Sequence, residues 1–75
     1  MNHGSLRRIY ELDRMIRLGR LRSAAQAAEH FEVSRRTIER DLQELRYGLG
    51  AELFFDRERG CYAYRGNPVT LPAQW

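Results

Sequence analysis

A chain of 75 residues supports one domain with a thin core, since chains this short bury only about 60% of their unfolded surface, and it has no room for a large enclosed active site. Apolar runs such as Leu53-Phe54-Phe55 fall far short of the ~20 residues that span a membrane, the first residues lack a signal-peptide stretch, and Cys61 is alone, so a cytoplasmic setting is expected. All 13 basic residues are Arg, against 10 acids, which gives a net charge of +3 and a pI near 9.6 and favours a polyanionic partner.

Leu6, Ile9, Leu12 and Ile16 recur at helical spacing between charged residues, so Leu6 to Leu18 reads as an amphipathic first helix that Gly19 stops. Arg20-Leu21-Arg22 alternates polar and apolar and is too short for a helix; it is expected to be a small strand. Ser23-Ala24-Ala25-Gln26 is a capping box that opens a second helix, in which Ser23 accepts an N–H and Gln26 reaches back. Ala24, Ala27, Ala28 and Phe31 form its inner face, and small alanines let another helix approach closely. Glu32-Val33-Ser34 is a break, and Ser34 is a good N-cap for a third helix carrying Ile38, Leu42 and Leu45 on one face to about Tyr47, before Gly48 and Gly50.

From Ala51 the period changes to two. Leu53 and Phe55 share one side, Tyr62 and Tyr64 share a side on the returning run, and Gly60 suits the left-handed position of a bulged hairpin turn. The order is helix, short strand, helix, turn, helix, β-hairpin: a mainly α fold with a small β-sheet, a winged helix-turn-helix over residues 1–65. Residues 66–75 hold two prolines and no charged side chain and read as a linker.

Two short helices joined by a three-residue turn make the unit whose second helix enters the DNA major groove, here residues 34–47. With Ile38 facing the core, Arg36, Arg40, Gln43 and Tyr47 fall on the opposite side, and Arg and Gln are the side chains that grip guanine and adenine edges bidentately. Thr37 flanks the stripe, suited to a thymine methyl or a phosphate. Ser34 and Arg35 stand at the helix start, where free N–H groups favour phosphate. The competing reading is a solvated face balanced by Glu39, Asp41 and Glu44; Asp41 borders the core and is placed to hold an Arg from the first helix. The hairpin over 52–65 is the wing, and Arg57 and Arg59 at its tip, with Arg59 preferred, are candidates for phosphates or a minor groove, or serve only to solubilise the turn. Arg7, Arg8 and Arg14 are weaker candidates for backbone contact.

The string Val33-Ser34-Arg35-Arg36-Thr37-Ile38-Glu39-Arg40-Asp41-Leu42 resembles the recognition helix of the DeoR-like and WYL-domain bacterial transcription regulators, and the run Phe55 to Tyr62 resembles their wing. The similarity spans Leu6 to about Arg65. It implies that Arg36, Thr37 and Arg40 contact bases and phosphates, and that a C-terminal WYL effector domain, which senses a ligand and supports dimerisation, lies beyond this chain. Glu32 departs from the pattern, since many helix-turn-helix motifs have Gly there.

The expected partner is double-stranded DNA, as an inverted repeat bound by a homodimer in the longer protein, with this chain alone monomeric or weakly associating, and the expected role is that of a nucleoid-associated regulator such as a repressor. Two rival readings are a winged helix used for protein interaction or dimerisation, which predicts an apolar outer face on the third helix, and single-stranded nucleic-acid or RNA binding, kept open by Tyr10, Tyr47, Tyr62 and Tyr64. No enzyme is expected, and no metal or cofactor: His3 sits near the terminus, His30 reads as a surface residue and Cys61 as a packed strand residue.

Overall fold

The computed structural model describes residues 3–48 and 50–66; the linker expected over 66–75 lies, from residue 67 on, outside the described residues. Helices α1 (His3–Arg17), α2 (Ala24–Phe31) and α3 (Arg35–Gln43) precede a two-stranded antiparallel hairpin of β1 (Leu53–Asp56) and β2 (Cys61–Tyr64).

Each helix ends where local chemistry stops it. At the end of α1, Gly19 has φ 71°, and the amides of Gly19 and Arg20 donate back to the carbonyls of Ile16 (3.1 Å) and Met15 (2.8 Å). That pair of bonds satisfies carbonyls that a helix terminus leaves open. The end of α2 repeats the motif with Glu32 in the left-handed position (φ 56°, ψ 45°): Glu32 N–H donates to Glu29 and Val33 N–H to Ala28. The helix-turn-helix break therefore does require the conformation that glycine takes without strain, and a Glu supplies it.

The small strand expected at Arg20-Leu21-Arg22 does not form. Among the described residues, the one backbone bond from this segment to the hairpin is at the Leu21 carbonyl, which accepts from Tyr62 N–H at 2.8 Å. The Gln26 side chain takes the neighbouring groups instead: its Oε1 accepts from Arg22 N–H (2.7 Å) and its Nε2 donates to the Arg20 carbonyl (3.1 Å). A segment whose backbone is satisfied by a side chain has little left for a ladder. The capping box is shifted accordingly, since Ser23 Oγ accepts from Gln26 N–H at 3.0 Å while Gln26 reaches beyond Ser23 to Arg22.

The core joins Ile9, Leu12 and Ile16 of α1 and Leu21 to Ala24, Ala27 and Ala28 of α2, Ile38 and Leu42 of α3, and Leu45 and Leu53. After Gln43 the helix widens into a π-helical turn, Glu44–Gly48, that carries Leu45 inward and leaves Tyr47 76% exposed. Ala51 N–H donates to the Leu45 carbonyl at 2.9 Å, and the chain reverses there into β1. In the hairpin, Leu53 pairs with Tyr64 and Phe55 with Tyr62, so the expected sides hold. Leu53 reaches the core, whereas Phe55, nearer the tip, packs edge-on against Tyr62 at 5.3 Å.

Candidate nucleic-acid interface

Ser34 fixes the start of α3. Its Oγ accepts from Thr37 N–H at 3.2 Å and lies 3.0 Å from the Thr37 hydroxyl, so both polar side chains are engaged in the cap, and Thr37 is half-buried. From that start, Ile38 and Leu42 point into the core and Arg36, Arg40 and Gln43 point out. Among the described residues these three have no hydrogen-bond or ion-pair partner. Tyr47, carried by the π turn that follows, is exposed as well. Arg35 is also exposed, and its Nη2 lies 3.5 Å from Glu39 Oε1, a pairing between solvated side chains worth a few tenths of a kcal/mol at most. Arg40 borders a cleft with Ser5, Asp41 and Glu44, at the edge where α1 meets α3.

Holding α3 in place is the ion pair between Arg8 and Asp41, both largely buried. Asp41 thus takes the role its position suggested, and the arginine that fills it is Arg8. The Arg8 guanidinium is turned to Asp41 and to Ser5 Oγ (3.4 Å) and is largely buried, whereas Arg7 is exposed and Arg14, also exposed, pairs with Glu11 at 3.1 Å.

At the wing tip, Asp56 Oδ1 accepts from the amides of Glu58 (3.0 Å) and Arg59 (3.2 Å), and Gly60 with φ 70° donates to the Asp56 carbonyl at 2.8 Å. Asp56 shapes the turn, a role given away by an Asp beginning a Gly-containing loop. Arg57 and Arg59 are both exposed but are placed differently. The Arg59 guanidinium folds back across the end of α1, so close that a Cβ on Gly19 would sit 2.5 Å from Nη2. Arg57 makes no such contact.

The base of the wing holds a cluster that no sequence pattern pointed to. Tyr64 donates its hydroxyl to Asp13 Oδ1 at 2.6 Å, Arg17 Nε donates to Asp13 Oδ2 at 2.8 Å, and the Arg17 guanidinium lies 5.9 Å from the Tyr64 ring centre. Burial and then the bond to Asp13 raise the Tyr64 pKa well above its ordinary value. The only hint in the sequence was an acid, Asp13, on the apolar side of α1. On the β1 side, Arg46 Nη2 donates to the Leu53 carbonyl at 3.2 Å. His30 is exposed and lies edge-on to Phe31 at 4.7 Å, and Cys61 is buried in β2.

The arrangement is a helix with cationic and amide side chains facing outward, capped at its start, beside a hairpin with an exposed cation, Arg57, at its tip. Compared with known proteins, residues 8–65 match the model of the DeoR-like helix-turn-helix domain. No curated protein and no solved structure matches the chain.

Proposed function

Because the chain belongs to the DeoR-like helix-turn-helix domain family, and so is a DNA-binding module of a transcription regulator, we propose that it reads duplex DNA sequence-specifically with α3 in the major groove. The observation that carries this reading is the outer face of α3, where Arg36, Arg40 and Gln43 stand exposed and unpartnered among the described residues. A protein-docking helix would present apolar side chains there. Arg36 and Arg40 serve guanine edges or phosphates, Gln43 an adenine edge, and Tyr47 extends the contact along the groove. Ser34, Arg35 and Thr37 lie at the helix start, where the backbone amides and Arg35 suit a phosphate. Arg57 is the wing cation best placed for the DNA backbone, with Arg59 drawn toward α1.

In this reading the domain occupies one half-site. A homodimer, formed through a WYL-type effector domain in the longer protein, binds an inverted repeat whose half-sites are about 10 bp apart. Alone, the domain binds in the micromolar range or more weakly at physiological salt. The test is selection of bound duplexes from a random pool, followed by Arg36→Ala and Arg40→Ala. Each substitution should weaken binding by about 1–3 kcal/mol, and at least one should relax discrimination at a guanine, with the melting temperature nearly unchanged. Unaltered base preference in both variants would move sequence reading away from α3.

A further inference from the structure

We propose that Tyr64 is a positioning residue for the wing, aiming Arg57 at the DNA backbone through its hydroxyl bond to Asp13. The inference rests on the DNA-binding reading above. A two-stranded hairpin is marginal by itself, and its direction is set by what anchors its base. Among the described residues, two hydrogen bonds tie β2 to the rest of the fold: Tyr62 N–H on the Leu21 carbonyl of the segment between α1 and α2 (2.8 Å), and, at the base, Tyr64 Oη on Asp13 of α1 (2.6 Å). The first is a backbone bond that any residue at 62 other than proline makes. The second depends on one hydroxyl and one carboxylate.

The Asp13 carboxylate is buried, and each oxygen has its own partner: Oδ1 faces Tyr64, Oδ2 faces Arg17. Arg17 in turn covers the Tyr64 ring. The carboxylate is therefore held at Oδ2 by Arg17 while Oδ1 receives the tyrosine, which makes it a directional anchor. Tyr64 pairs with Leu53 at the base of the hairpin, while Asp56 pairs with Cys61 at the other end, just before Arg57. Three strand rises separate the two ends, about 10 Å. A rotation of roughly 10° about the base would move that end by about 2 Å, enough to take a cation out of contact with a phosphate.

The experiment is a double-mutant cycle on the whole chain, read as the salt dependence of binding to a selected duplex. In the wild-type background Arg57→Ala should lower the magnitude of the log K against log salt slope by about 0.9. In Tyr64→Phe, which keeps the ring and its packing, Arg57→Ala should lower it by less than half as much. Arg36→Ala should cost the same factor in both backgrounds, since α3 is not held by this bond. Asp13→Ala removes the bond from its other side and should reproduce the loss of coupling. Asp13→Asn keeps an acceptor oxygen for Tyr64 and should restore the full Arg57 effect. Equal Arg57 effects in the wild-type and Tyr64→Phe backgrounds, or failure of Asp13→Ala to reproduce the result, would overturn the positioning role while leaving the DNA reading intact. Absence of any Arg57 effect in the wild type would remove the wing from the interface, and this inference with it. Absence of any Arg36 effect would instead count against the reading of α3.

Discussion

The guanidinium of Arg8 in α1 forks onto the carboxylate of Asp41 in α3, Nε to Oδ2 and Nη2 to Oδ1 (3.3 Å), across 33 residues of sequence. Only 13% of the Arg8 side chain and 7% of the Asp41 side chain remain exposed, so each charge depends on the other for its solvation. Truncating one partner of such a pair leaves a buried charge alone, which costs more than the pair itself contributes.

Asp41→Ala should therefore destabilise the domain by about 3 kcal/mol in urea unfolding, a large part of what a small domain possesses. The paired replacement Arg8→Met with Asp41→Leu should recover most of that loss, because apolar groups of similar volume carry no desolvation penalty. A double variant as unstable as Asp41→Ala alone would show that the pair matters by its geometry rather than by mutual solvation.

Glu32 holds a left-handed conformation that strains any residue with a Cβ. Glu32→Gly should raise stability by about 1 kcal/mol, seen as a melting temperature higher by about 4–8 °C in a domain of this size. Glu32→Ala should bring no such gain, since it keeps the Cβ. DNA affinity should be unaffected in both, because the side chain is no part of the proposed contact surface.

Gly19→Ala meets two obstacles, a φ of 71° and the Arg59 guanidinium 2.5 Å from the new methyl group. The guanidinium is the end of a flexible side chain and swings away readily, whereas the backbone cannot. The loss should be about 1 kcal/mol and should persist in an Arg59→Ala background. Full rescue by Arg59→Ala in thermal unfolding would show that the steric contact dominates instead.

The Tyr64 hydroxyl, with its pKa raised by burial and by Asp13, keeps its proton in the folded state beyond the pH at which an unfolded tyrosine, with a pKa of 10.0, releases it. Above that pH the unfolded chain binds fewer protons than the folded one, so stability falls as pH rises. The contribution is fully present below pH 10 and should decline by up to about 1.4 kcal/mol per pH unit above it. Tyr64→Phe should flatten this alkaline slope in urea unfolding by close to one proton; an unchanged slope would place the titration on another group.

The features legible in the sequence are those decided within about one helical turn. Ser34 caps α3 and Ser23 caps α2 because a hydroxyl beside three open amides bonds them wherever the rest of the chain lies. Gly19 and Gly60 take the positive φ that their lack of a Cβ allows, and the 3.6-residue period puts Ile38 and Leu42 inside and Arg36, Arg40 and Gln43 outside. Even the strain at Glu32 was visible as a missing glycine. The tertiary structure decided the choices among chemically equivalent groups. Arg7 and Arg8 are adjacent and identical, yet only Arg8 projects toward α3 and Asp41. Arg57 and Arg59 differ by two positions, yet only Arg59 lies over Gly19. Asp13 and Tyr64 are 51 residues apart, and the strand expected at Leu21 gave way to a side chain, Gln26, that competes for the same backbone groups. Caps and periods depend on neighbours in sequence, whereas these pairings depend on distances that exist only once the helices and the hairpin have packed around one core.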